Sequence, residues 1–274
     1  IKDLPVLVTE YQADELVLAS DLSYEPEVAQ LVVDQYIHGI HFVNLSNLFE
    51  RLAGRIPVEH IGKDWFSVLP NDDNSQYMRL YYTSLKRLFD VIFAIVGFIL
   101  TLPVMAITTI IIKLDSRGPV IYTQERVGLY GKTFRIYKFR TMVTDAEAKT
   151  GAVFAQKNDS RVTRIGRFLR KSRIDELPQF INILRGDMSF IGPRPERPVH
   201  VERLAQKIPF YNTRLVVRPG LSGWAQICYD YGSDDEDARK KLEYDLYYIR
   251  YASLALDLTI VFRTFYKVIT LSGQ

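Results

Sequence analysis

One cysteine, Cys228, stands in 274 residues. A lone thiol closes no internal disulfide, which fits a reducing compartment. The four histidines, His38, His41, His60 and His200, lie scattered, and none combines with Cys228 at a zinc-ligand spacing. No G-x-G-x-x-G is present, so no dinucleotide is inferred from the α/β pattern described below. Internal repeats and low-complexity tracts are also missing. At 47% hydrophobic and 24% charged residues the composition excludes a wholly disordered chain. The chain opens on Ile1 without a cleavable leader, which reads as a protein trimmed upstream.

The net charge of +3 hides a division. Residues 1–80 carry 5 Lys and Arg against 13 Asp and Glu, a net of −8, and residues 81–274 carry 30 against 19, a net of +11. A reversal of sign at one point marks a boundary between units with different partners, and the basic unit suits anionic lipid, phosphate or nucleic acid. Before the boundary, residues 5–10 and Glu15–Ser20 read as strands, Pro26–Tyr36 as a helix opened by a first-turn proline and closed by Gly39, Ile40–Val43 as a strand and Leu45–Leu52 as a helix stopped by Gly54. This alternation predicts a partial, Rossmann-like α/β domain over 1–75. A linker and the start of an interfacial helix follow over 76–90.

From Val91 to Ile112 there are 22 residues without a charge. As one helix they would extend about 33 Å, matching a hydrocarbon core of roughly 30 Å. Pro103 lies near the middle, and the flanks are basic on both sides, Lys86 and Arg87 before and Lys113 and Arg117 after. Proline favours a kink, and positive charge at both ends favours placing both on the cytoplasmic side. A re-entrant membrane helix over 91–112, broken at Pro103 with Thr101 covering freed backbone, satisfies both observations. Beyond it, 113–274 reads as a mainly helical catalytic domain with a small β-hairpin, Val120–Thr123 against Thr133–Phe139. Ser253–Leu271 reads as an amphipathic helix on the membrane surface, with packing into the catalytic domain as the competing explanation.

Two groups of residues could carry chemistry. Arg161, Arg164, Arg167, Arg170 and Arg173 recur every third position with no acid between them, which suits either a solvated surface or recognition of phosphate. They lead into Asp175-Glu176 within Arg173-Ile-Asp-Glu-Leu-Pro-Gln179, where Leu177–Leu184 reads as a helix with Pro178 in its first turn. At a helix N-terminus Asp175 could simply be a cap, and Glu176 a first-turn acid. The same position keeps an aspartate ionised beside a bound anion, as a nucleophile for phosphorus requires. The rigid stretches Gly186–Glu196, with Arg194 and Glu196 on a proline-stiffened loop, and Arg218–Gly223 could wall a phosphate or nucleotide pocket.

From about Thr83 to its end the chain resembles the monotopic phosphoglycosyl transferases, also called bacterial sugar transferases. The resemblance is carried by Lys86-Arg-Leu-Phe-Asp90, Gln124-Glu-Arg-Val-Gly128, Lys138-Phe-Arg-Thr-Met142, Arg173–Gln179, Gly186–Glu196, Arg218–Gln226, Tyr244–Ile249 and Ser253–Asp257. It implies a two-step transfer of a phosphosugar, a hexose 1-phosphate first among them, from a UDP-sugar to undecaprenyl phosphate with release of UMP. The route is a ping-pong mechanism through a covalent intermediate on Asp175, as the first membrane step of exopolysaccharide or O-antigen synthesis. By the same resemblance Asp175 and Glu176 are catalytic and hold Mg²⁺. Arg170 holds the lipid phosphate, and Lys138, Arg140, Pro193, Arg194, Pro195, Glu196 and Arg218 bind substrate. UDP-glucose or UDP-galactose is the favoured donor. The implied setting is the bacterial inner membrane, with the catalytic domain on its cytoplasmic face and a homodimer as the assembly. A membrane-associated regulator without turnover is the alternative, favoured if an intact Asp175 turned over no sugar nucleotide. Nucleic-acid binding is disfavoured by the apolar 22-mer and the lack of a recognised fold for it.

Overall fold

The computed structural model describes residues 4–18, 26–61, 84–144, 146, 159–229, 232 and 234–270. The described residues are 62% helical, and the chain divides into two compact units, 1–60 and 61–274.

The first unit holds α1 (Leu4–Tyr11), β1 (Glu15–Leu18), α2 (Pro26–Ile37), β2 (His41–Asn44) and α3 (Leu45–Ala53). β1 and β2 pair in parallel, Glu15 opposite His41 through Leu18 opposite Asn44. That two-stranded sheet is all that the described residues contain of the expected Rossmann-like domain. Gly54 closes α3 at φ 63, a left-handed turn that glycine takes without a Cβ clash. One sequence expectation fails here: residues 5–10 are helix, not strand. A short apolar run does not by itself separate the two, and Pro5, lacking an N–H, fits a first helical turn. Thr9 donates its hydroxyl back to the Pro5 carbonyl at 2.9 Å. The linker residues 62–83 lie outside the described residues.

The second unit is organised on α4, Lys86–Asp115, 30 residues with Pro103 inside. At 1.5 Å per residue it is about 45 Å long, and it is long and apolar enough to cross a membrane. Helix runs through Pro103 without interruption, so the expected break is absent; Thr101 donates its hydroxyl to the Gly97 carbonyl at 2.7 Å beside the proline. One stripe of α4 packs inward along its whole length. Lys86, Asp90, Ala94, Thr108 and Ile112 are buried, and Phe98 and Met105 pack between them. The remaining circumference exposes Leu88, Phe93, Ile99, Leu100, Ile107, Ile110 and Leu114. Such an apolar exterior is far larger than scattered exposed residues on a soluble protein.

Against that stripe pack β3 (Ile121–Val127) and β4 (Thr133–Phe139), an antiparallel hairpin with Ile121 opposite Phe139 and Val127 opposite Thr133. β3 runs four residues beyond the strand expected at 120–123, since Gln124–Val127 continue the pairing with Thr133–Ile136. α5 (Arg164–Lys171) comes next, then a 3₁₀ turn over Ile174–Gln179 and α6 (Phe180–Arg185). Gly97 admits the Phe180 ring, since a Cβ there would stand 3.1 Å from its Cζ. Ala94, Ile136, Phe180, Ile183 and Met188 form one core cluster and Ile112, Phe139 and Leu169 a second.

β5 (Ser189–Ile191) pairs in parallel with β6 (Gly220–Ser222). Strands of three residues are too short to leave a periodicity in sequence, and neither was expected. α7 (Pro198–Lys207) lies between them in the chain; α8 (Trp224–Cys228), α9 (Asp235–Tyr251) and α10 (Leu254–Ile269) complete the unit. α10 does two things at once. Leu256 and Ile260 pack with Ile191, Tyr248 and Ala252, while Leu258, Phe262, Phe265 and Tyr266 stay exposed. Core packing thus accounts for one face of the helix, and the opposite face stays exposed and apolar.

Candidate active site

The Arg173–Gln179 segment folds as a tight turn rather than as the first turn of a helix. Arg173 takes φ 60 in the left-handed region, uncommon for a residue with a side chain, and so ends the run from α5 and swings the chain into the 3₁₀ turn. Pro178 lies within that turn, and α6 begins only at Phe180. Asp175 and Glu176 are both buried, each with 7% of its surface exposed. No hydrogen bond of a capping kind involves Asp175, so the cap explanation of this residue does not hold.

The two neighbours have opposite environments. Glu176 is clamped by three cations: Lys138 Nζ donates to Oε1 at 2.9 Å, Arg194 Nη2 to the same oxygen at 3.0 Å, and Arg173 Nη1 to Oε2 at 3.2 Å. Asp175 has no hydrogen bond or ion pair among the described residues. Burial alone would push both carboxyls up. For Glu176 the charges of Lys138, Arg194 and Arg173 outweigh it and hold the group well below the usual carboxylate range. For Asp175 burial prevails, reinforced by the negative charge of Glu176 and only partly opposed by Lys138, Arg170 and Arg194, and its pKa is raised to about 6. A fixed anion beside a poised one is the arrangement in which two adjacent carboxylates take different roles.

The cations come from three directions. Lys138 is on β4, whose inner face meets the carboxylate turn. Burial pushes its ammonium pKa down, helped by Arg194 and opposed by Glu176. Arg170 is carried by α5 and donates Nε to the Thr141 hydroxyl at 2.9 Å. Gly166 permits that approach, because a Cβ would fall 2.0 Å from the Thr141 carbonyl oxygen. Arg194 projects from the Pro193–Glu196 loop, which is held backbone to backbone: Gly192 N donates to Ser222 O and Gly220 N to Pro193 O, each at 2.9 Å. Glu196 Oε2 lies 3.5 Å from Arg126 Nη1, which also donates to Pro195 O at 2.9 Å.

Two of the residues expected to bind substrate are engaged elsewhere. Arg140 is buried and donates to Ser116 O and Arg117 O, at 2.7 and 3.0 Å, closing the end of α4. The Arg218 side chain donates to Gly186 O at 3.2 Å, at the opposite end of the 174–185 segment from Asp175. Arg173, last of the arginine run, completes the clamp. One further residue matters that the sequence did not single out. Arg214, buried, donates to Asp245 Oδ2 at 2.8 Å, to the Tyr211 hydroxyl at 2.7 Å and to the Arg194 carbonyl at 2.9 Å. It thereby fixes the backbone from which Arg194 reaches Glu176. Nothing in the spacing of Arg214 and Asp245, 31 residues apart, announces that contact.

Residues 81–271 match the bacterial sugar transferase family. The chain belongs to that family. Among curated relatives, it is 46% identical over 228 residues to a UDP-N-acetylgalactosamine-undecaprenyl-phosphate N-acetylgalactosaminephosphotransferase of Aeromonas hydrophila, covering 83% of this chain and 52% of that protein. It is 44% identical over 185 residues to a UDP-glucose:undecaprenyl-phosphate glucose-1-phosphate transferase of Escherichia coli, covering 67% and 40%. To an exopolysaccharide production protein PSS of Rhizobium leguminosarum it is 37% identical over 195 residues, covering 68% of this chain and 96% of that one. The chain thus spans about half the length of the Aeromonas relative and less of the Escherichia one. All the carboxylate and cation positions of the site fall inside the sugar transferase match.

Proposed function

We propose that the chain carries the catalytic part of a polyprenyl-phosphate phosphoglycosyl transferase, and that Asp175 is its nucleophile. The observation that carries this reading is the buried, unpartnered Asp175 carboxylate beside a Glu176 held by three cations. With a pKa near 6, Asp175 is about nine-tenths ionised at pH 7 yet more basic than a solvated aspartate. In the first half-reaction a carboxylate oxygen attacks the sugar-bearing phosphorus of a UDP-sugar. An Asp175–phosphorus bond forms, the phosphorus–oxygen bond to the nucleotide breaks, and UMP leaves. In the second, an oxygen of undecaprenyl phosphate attacks the same phosphorus, the bond to Asp175 breaks, and the free carboxylate returns. Lys138 and Arg194 keep Glu176 ionised and place positive charge where phosphate oxygens gather. Arg170, anchored on Thr141, is the cation assigned to the lipid phosphate.

Mg²⁺ is a hard cation that takes oxygen ligands, commonly one or two carboxylates together with substrate phosphates. Asp175 fits that donor set, and so does Glu176 Oε2, which accepts a single hydrogen bond, from Arg173, and keeps a lone pair free. When bound, the ion would neutralise diphosphate charge.

The membrane setting rests on α4. Its first turn is tied to the catalytic fold by an ion pair of Lys86 with Asp257 and by Arg87 donating to Ile183 O and Leu184 O. Its last turn is tied to the same fold through Ile112 and the Arg140 contacts. Two ends on one body favour one side of the bilayer, which we assign as the cytoplasmic side of the inner membrane. Cysteines at Ser84 and Ser116 in a Cys228→Ala chain are then labelled from the same side. Labelling from opposite sides refutes the assignment. The relatives use both N-acetylgalactosamine and glucose donors by name, so the donor class is a UDP-hexose or UDP-N-acetylhexosamine. A UMP-release screen across both kinds with undecaprenyl phosphate tests the activity, and no release from any of them would overturn it.

A further inference from the structure

α5 carries a surface that the transfer reaction leaves unused. Ile165 and Leu169 pack beside Ile112 and Met105 of α4, Gly166 faces Thr141, and Arg170 turns toward the site. At about 100° per residue, Phe168, Arg164, Lys171 and Arg167 then share one outward arc of about 100°. All four are exposed, Phe168 by 59%. The side chains of Arg164, Arg167 and Lys171 have no hydrogen bond or ion pair among the described residues. Elsewhere on this unit some cations find acids, Arg203 and Lys207 on Asp235 and Arg239 on Glu236, while the exposed Arg117, Lys132 and Arg135 have no ion pair among the described residues. What marks α5 is that three cations without an ion pair among the described residues share a single helix face with one exposed phenyl ring.

We propose that this face of α5 docks on anionic phospholipid headgroups, with Phe168 at the interfacial level and Arg164, Arg167 and Lys171 against the phosphates. The complementarity is of charge, and the basic face contains no acid that would repel the headgroups. Continuity gives the second reason. α5 packs on the C-terminal half of α4, where Ile107, Ile110, Ile111 and Leu114 are exposed; lipid that covers those side chains reaches α5 next. The consequence for the site is positional. Arg170 sits on the same helix, so a docked α5 sets its height at the headgroup layer, where a phosphate on a lipid carrier lies.

The proposal rests on the membrane-bound reading of the protein, and the experiment separates the two. In a Cys228→Ala chain, Phe168→Cys or Leu100→Cys is labelled with an environment-sensitive dye. The full chain is then placed in nanodiscs of phosphatidylcholine alone or with phosphatidylglycerol, carrying lipid-borne nitroxide quenchers. The Leu100 probe is expected to be quenched in both lipids. The Phe168 probe is expected to be quenched roughly twofold or more strongly with phosphatidylglycerol, and that excess should vanish in an Arg164→Ala, Arg167→Ala, Lys171→Ala variant and in high salt. Quenching at Leu100 with silence at Phe168 overturns the docking and leaves membrane insertion standing. Silence at both sites overturns both. Equal quenching of the Phe168 probe in the two lipids shows an apolar contact without headgroup selection and overturns the proposal. A probe that responds only to added RNA or acidic peptide assigns the face to another occupant and also overturns it.

Discussion

The two units of this chain differ in how many charged groups they bury. Among the described residues of 1–60 the ion pair of Arg51 with Glu15, 2.7 Å long, lies open to solvent, and a single charged residue, Glu50, is buried, beside the hydrophobic Ile56 and Val58. In residues 61–274 charged groups go inside: Lys86 with Asp257, Arg214 with Asp245, Lys138 with Glu176. An exposed pair contributes little to stability, whereas a buried charge is costly unless it is paired and hydrogen-bonded. A fold that repeatedly accepts that cost has its chemistry there, and Asp175 is the one buried carboxylate of the site left without a cation bonded to it.

The sharpest way to break the comparison is Asp175→Asn. Asparagine keeps the size and the turn but is no phosphorus nucleophile, so turnover should fall by roughly 10³-fold or more while the thermal melt stays near wild type. Near-normal UMP release from this variant would remove Asp175 from the mechanism.

Second comes the buried pair behind the Arg194 loop. Arg214→Met or Asp245→Asn strands a partner in the interior and should destabilise the catalytic unit by about 3–5 kcal/mol. The double variant Arg214→Met, Asp245→Leu should recover most of that in a melt but not the full rate, because Arg194 loses the hydrogen bond that fixes its carbonyl. Full recovery of rate would show that the loop needs no such support.

A third effect is of pH. The raised pKa of Asp175, about 6, means that the proton leaves the nucleophile as pH rises through that value. The rate of the first half-reaction should therefore climb about tenfold per unit below pH 6 and level off above it, as for a single essential base. A flat profile from pH 5 to 7 would contradict the burial argument. The smallest effect belongs to the other unit: Arg51→Ala opens a solvent-exposed pair and should leave UMP release unchanged within error. A clear loss there would mean that residues 1–60 act on the site.

How much of this was legible in the sequence follows the range of the interactions. The uncharged run and the β-hairpin are local patterns, and both reappear, in α4 and in β3–β4, whereas the break read from Pro103 does not. The helix at Leu4–Tyr11 was missed because eight residues of apolar run carry no period that separates helix from strand. The carboxylate pair was legible, but its geometry was not. Arg173 adopts a left-handed backbone that no propensity announces, and that bend converts an expected helix start into a 3₁₀ turn. The clamp on Glu176 joins residues 38 and 18 positions away, Lys138 and Arg194, and contacts of that range are set by packing. Arg140 shows the same limit: its contacts with Ser116 and Arg117, 24 and 23 positions away, at the end of α4, are not announced by the motif that carries it.

The central claim is that Asp175 forms a bond to the phosphosugar before the lipid acceptor arrives. Intact-protein mass spectrometry of the wild-type chain with a UDP-sugar and no undecaprenyl phosphate addresses it directly. The expected result is a mass increase of one phosphosugar, mapped to the peptide holding Asp175, lost on adding undecaprenyl phosphate and absent in Asp175→Asn. An unmodified protein that releases UMP only when both substrates are present would instead show direct transfer between them and contradict the account.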